Sequence, residues 1–115
     1  MIPNRKQRFG EVLRKEIIRI ITTRLRDPRI GFITINDVIV TGDFKAATVY
    51  YTVIGDEKVK KDTGKLLNGA SGFIRKELLL CHLNVKTIPL ISFKYDISLD
   101  YGEHIDNILK GIKHS

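Results

Sequence analysis

The chain has 115 residues, of which 43% are hydrophobic and 29% charged, the composition of one ordinary globular domain with a modest core. No apolar run approaches the roughly 18 residues that a membrane span needs, and the polar, basic N-terminus is no secretory signal. A single cysteine, Cys81, cannot form an internal disulfide and points to a reducing cytoplasm. The net charge is +7, and it is unevenly placed: residues 1–31 carry nine basic and three acidic side chains, a net of +6. That loading onto one element suggests an anionic partner rather than a general solubility surplus.

From Phe9 to Leu25 the apolar residues Phe9, Leu13, Ile17, Ile20 and Ile21 recur at helical spacing. Arg8, Lys15, Arg19 and Arg26 then gather on the opposite face, with only Glu11 near them. Phosphate contact is the favoured reading of that stripe over a solvated polar face or a membrane surface, since so short a chain needs the apolar face for its core. Asp27-Pro28-Arg29-Ile30-Gly31 ends the helix, because Pro28 cannot continue the hydrogen-bond ladder and holds Asp27 extended. "FITINDVIVT" and "KAATVYYTVI" follow as two strands of a hairpin around Gly42-Asp43.

Asp56 to Asn68 is polar, lysine-rich and helical. Ala70 to His82 is predicted as a third helix whose core face carries Ala70, Phe73, Ile74, Leu78 and Cys81. After Pro89, "ISFKYDISLDY" alternates as a strand with Ile91, Phe93, Tyr95, Ile97, Leu99 and Tyr101 on one side. Gly102 ends it, and Ile105, Ile108, Leu109 and Ile112 suggest a short final helix. The order is α-β-β-α-α-β with a helical tail, a single α+β domain over 1–115.

Gly69 and Gly72 interrupt the helical stretch, at a cost of roughly 1 kcal/mol each in a helix interior. Asn68-Gly69 would stop a helix if Gly69 adopts the left-handed conformation. Gly69-Ala70-Ser71-Gly72 also spells G-x-x-G, the loop with which KH domains clamp single-stranded backbone. On the motif alone, an RNA clamp and a plain kink are equally supported. Arg75 and Lys76 would flank a phosphate at Gly72.

No catalytic set assembles. Phe73 stands where a nucleophile elbow needs its last glycine, no strand precedes Ser71, and the three histidines lack ligand spacing beside Cys81. Tyr50, Tyr51 and Tyr95 read as core, as does Cys81. No enzyme, metal or cofactor is expected.

At this point the sequence resembles the ribosome-binding factor A family over nearly its whole length. The likeness rests on the basic first helix, "DPRIGFITI", "VIVTGDFKAATVYY", "ASGFIR" and "IPLISFKYDIS" with Gly102 and Ile105 after it. It implies a type II KH-like domain, α-β-β-α-(kink)-α-β, with Ala-x-Gly (here Ala70-Ser71-Gly72) at the kink. Gly69 adds a second glycine, so the kink could centre on Gly69 or Gly72. The resemblance also implies a cytoplasmic, non-enzymatic ribosome-biogenesis factor that binds free small (30S) subunits. It would assist late 16S rRNA folding and 5′-end processing, most of all in the cold, with no membrane association and as a monomer. The expected RNA contacts are Arg8, Lys15, Arg19 and Arg26, with the turn Ala70, Ser71, Gly72 seating the backbone. Arg5, Lys6, Arg29, Arg75 and Lys76 would support them, ahead of Lys58, Lys60, Lys61 and Lys65. A general KH-type single-stranded RNA-binding module unconnected to the ribosome would share every physical feature.

Overall fold

The computed structural model describes residues 4–25, 32–80 and 88–97. Helix α1 spans Arg5–Thr23, starting four residues before the expected Phe9. The earlier start comes from a capping box: the Asn4 carboxamide accepts from the Gln7 N–H at 2.8 Å, and the Gln7 side chain accepts from the Asn4 N–H at 3.1 Å. Such a cap stabilises a helix start by about 1 kcal/mol. All five predicted apolar residues are buried, with Leu13, Ile17 and Ile20 fully so. Each of these three contributes about 1.5–3 kcal/mol by leaving water.

Strands β1 (Ile33–Val40) and β2 (Ala46–Val53) pair antiparallel, with Ile33 opposite Val53 and Val40 opposite Ala47. The register slips between Ile35 and Asp37, a bulge at Asn36. The connecting turn is wider than a two-residue Gly42-Asp43 loop. The Asp43 carboxylate accepts from the Thr41 hydroxyl at 2.6 Å and from the Lys45 N–H at 3.1 Å. Its left-handed residue is Phe44, at φ 61°, not a glycine. The Phe44 ring lies 5.6 Å from that of Phe9, and this packing against α1 offsets the strain of a bulky residue at positive φ.

Helix α2 (Glu57–Gly69) is capped by the Asp56 carboxylate on the Val59 N–H, and α3 (Ser71–Leu79) follows after one residue. Strand β3 (Leu90–Tyr95) lies parallel to β2, giving the order β1-β2-β3 with the helices on one face. Two expectations for these elements are corrected. Phe73 is not in the core but 39% exposed, because α3 faces the sheet through Ile74 and Leu78, about a third of a turn round the helix from it. Within the described residues β3 ends at Tyr95, and Ile97 is 56% exposed. Cys81, the DPRIG turn, Leu99, Tyr101 and the final helix lie outside the described residues.

Two glycines set how closely the layers approach. A Cβ on Gly10 would stand 2.7 Å from the Val38 carbonyl oxygen, and one on Gly64 would stand 2.7 Å from the Tyr51 hydroxyl. Glycine at these points lets α1 lie against the backbone of β1 and α2 over Tyr51.

Candidate nucleic-acid interface

Along α1, Arg8, Lys15 and Arg19 are exposed on the side opposite Leu13 and Ile17, as the helical spacing predicts. Val12, 43% exposed, sits among them. Glu11 is not the sole acid near this row. Glu16 reaches Arg19, with Oε1 3.0 Å from Nε, one turn being enough to bring an i, i+3 pair together. An ion pair this exposed is worth about 0–1 kcal/mol, so a phosphate can displace it. Arg5 and Lys6 extend the basic surface at the helix start, and the Arg5 guanidinium lies 5.9 Å over the Phe44 ring. Arg26 and Arg29 lie outside the described residues.

The kink centres on Ala70, between the two glycines. Its φ and ψ are −92° and 1°, and its N–H bonds to the carbonyls of Leu66 and Leu67. The chain thus bends without leaving right-handed geometry. Gly55 is the one positive-φ glycine among the described residues, so Gly69 does not close α2 in a left-handed conformation as expected. What Gly69 and Gly72 share is openness: a Cβ on either would meet nothing within 4 Å. No side chain caps α3, so the start of that helix presents backbone beside an exposed, side-chain-free Gly72. Backbone N–H groups at a helix start carry partial positive charge and suit an anion.

Gly72, Phe73, Lys76 and Leu80 form the outer face of α3. Arg75 does not join them. Its Nε and one terminal nitrogen donate to the Ile88 carbonyl at 3.2 and 3.1 Å, tying α3 to the segment that leads into β3. Of the two cations expected to flank Gly72, Lys76 faces outward and Arg75 serves the fold. On α2, Lys58, Lys61 and Lys65 are exposed, whereas the Lys60 ammonium lies 4.8 Å over the Tyr95 ring. Burial works against that charge, but Tyr95 and then Glu57 more than offset it, and the Lys60 pKa ends above its usual value.

The α1 row and the α3 face adjoin. Arg19, Arg24, Glu77 and Leu80 line one shallow concavity with Glu16, and Arg24 pairs with Glu77 at 2.8 Å. Two residues that sequence reasoning missed hold the arrangement. Glu77, on the inner side of α3, anchors the end of α1. Asn68 uses its carboxamide to accept from the Phe93 N–H at 2.8 Å and to donate to the Phe93 and Gly64 carbonyls at 3.1 Å. A helix-stop reading of Asn68-Gly69 hides that task, and only the pairing of α2 with β3 reveals it. Among the described residues no group of three or more His, Cys, Asp or Glu could hold a metal ion, and no helix is long and apolar enough to cross a membrane.

Comparison with known proteins places this geometry. The model of the family described as ribosome-binding factor A matches residues 5–109. The ribosome-binding factor A of Staphylococcus saprophyticus is 45% identical over 108 residues, covering 94% of each chain. A Thermotoga maritima protein solved by solution NMR is 31% identical with a TM-score of 0.72, over 82% of this chain and 90% of that one. The Thermus thermophilus ribosome binding factor A, fitted as a homology model into a map of its complex with the 30S subunit, is 19% identical. Its TM-score is 0.65 over 81% of this chain and 97% of its own. The shared architecture is KH-like.

Proposed function

The chain belongs to the ribosome-binding factor A family, and on that premise we propose that it binds the free small ribosomal subunit late in maturation. It assists 16S rRNA folding and 5′-end processing without catalysing a reaction, acts in the cytoplasm, and is needed most when cold slows the escape of misfolded rRNA. The observation that carries this reading is the exposed row Arg8, Lys15 and Arg19 on a helix whose other face is wholly committed to the core.

The row neutralises phosphates along one stretch of rRNA and supplies most of the affinity. The start of α3 takes a second stretch. With no side chain at Gly72, a phosphate reaches the backbone there, Lys76 adds a charge one turn on, and Phe73 offers a ring face for stacking a base. Arg5 and Lys6 extend the contact at the other end of α1.

Gradient sedimentation of cell extracts tests the proposal. The chain should cofractionate with free small subunits and be absent from assembled ribosomes. Spread across all RNA-containing fractions, it would instead be a general KH-type RNA binder.

A further inference from the structure

Helix α2 carries four lysines, and the structure sorts them. Lys60 turns inward, its ammonium 4.8 Å over the Tyr95 ring and 3.5 Å from the Glu57 carboxylate. Lys58, Lys61 and Lys65 are exposed and fall at i, i+3 and i+7, one stripe opposite the buried Thr63 and Leu67. Gly69 continues that stripe four residues on, at the kink, where a Cβ would meet nothing within 4 Å. Among the described residues none of the three exposed lysines is ion-paired, not even with Asp62, one turn beyond Lys58. Lys58 with Lys61 and Lys61 with Lys65 are like-charge neighbours about 5–6 Å apart at Cβ, an arrangement that weakens a helix unless an anion meets it. A face kept only for solubility gains nothing from it, because interleaved acids would serve solubility and support the helix as well. The spacing instead approaches that of successive phosphates on an extended RNA strand.

We propose that this row is a second phosphate track, which takes one single-stranded RNA segment while the α1 row holds another. The two rows belong to different parts of the helical layer: α1 packs on β1, α2 packs on β2 and β3, and α3 packs against both helices. Each row points away from the sheet, since each lies opposite the buried side of its own helix. One chain therefore holds two RNA segments at once, on the same side of the sheet. Lysine suits such a track, being a compact charge that contacts phosphate without selecting a base. The second track rests on the RNA contact proposed for α1 and adds a second valence to it.

The test uses the full chain at low salt with two non-complementary single-stranded RNAs of about ten nucleotides, one carrying a donor dye and one an acceptor. Energy transfer should appear at one chain per RNA pair and fade in excess protein, which separates the two RNAs. Sedimentation should give the mass of one chain with two RNAs. Lys58→Ala with Lys61→Ala and Lys65→Ala should abolish the transfer and lower the stoichiometry from two RNAs to one. Its melting temperature should hold, because alanine is the stronger helix former and all three positions are exposed. One RNA per chain or none in the parent overturns the second track, as does a transferring complex that contains two chains. Transfer that survives in the folded triple variant overturns it too. Cofractionation with free small subunits decides the function proposed above independently. A chain that cofractionates yet takes a single short RNA keeps that function and loses the second track.

Discussion

Tyr51 sits at the middle of β2 with its ring edge-on to Tyr95 at 5.7 Å and to Phe93 at 6.4 Å, its hydroxyl against Gly64. Burial, and then the neighbouring Tyr95, raise its pKa above the usual value of 10.0. The folded chain thus keeps this proton at a pH where the unfolded chain releases it. Its stabilising contribution is whole below about pH 10 and is lost as pH rises further. Tyr51→Phe should remove that component, so its melting temperature should fall less than the parent's between about pH 9 and about pH 11. Equal falls would mean that Tyr51 ionises as freely folded as unfolded. At the kink, right-handed geometry reverses the expectation for Gly69. With negative φ and open space around it, Gly69→Ala should stabilise by roughly 0.5–1 kcal/mol in chemical denaturation. A loss of about 1 kcal/mol or more would contradict the observed backbone. Gly72→Asp also fits without a clash, and an acid early in α3 suits the helix dipole, so the melting temperature should hold. It should nevertheless lose most small-subunit binding, because the carboxylate would occupy the place proposed for a phosphate beside Lys76. The pair Gly69 and Gly72 was legible as a break in the sequence. Its centre was not, because helix period and glycine content cannot specify the φ of Ala70.

Both outer strands of the sheet have their edges guarded, and each guard is a polar or absent side chain that hydrophobic patterning does not register. On β1 the Val38 N–H donates to the Asp37 carboxylate at 2.9 Å, and Gly10 of α1 lies over the Val38 carbonyl. On β3 the carboxamide of Asn68 satisfies both backbone groups of Phe93. Edges closed this way are poor templates for pairing with another chain. Asn68→Ala should cost about 1–3 kcal/mol by stranding the Phe93 groups. It should read as a lower denaturant midpoint with an unchanged slope, and a shift under about 0.5 kcal/mol would show that water replaces the carboxamide without loss. The elements themselves were largely visible in advance. β-branched and aromatic runs around a turn gave β1 and β2, and a full apolar stripe gave α1, since that period is imposed by burial on one face. Phe73 misled for the opposite reason. The α3 stretch is short, and its apolar residues alternate with Arg75, Lys76 and Glu77 around the helix, so its period leaves the buried side undetermined until the sheet is in place.

Across the whole molecule, charge and burial divide the surface. The first helix gives its inner side to the core and its outer side to cations, and the Arg24–Glu77 pair joins it to the helix that starts at the kink. The RNA contact proposed for this surface would draw its affinity from counterion release, which makes salt the most informative variable. The direct measurement is the affinity for purified small subunits across a salt series, for the parent chain and for Lys15→Glu with Arg19→Glu. The double variant should stay folded, since both positions are exposed. The introduced carboxylates make three like-charge pairs at i, i+3 or i, i+4, with each other, with Glu11 and with Glu16, each costing about 0.2–0.5 kcal/mol. Binding should weaken strongly, and the slope of log affinity against log salt should fall by about one unit for each phosphate that the variant no longer neutralises. A folded double variant with the parent's affinity and the parent's slope would contradict the assignment of α1 as the RNA-binding helix.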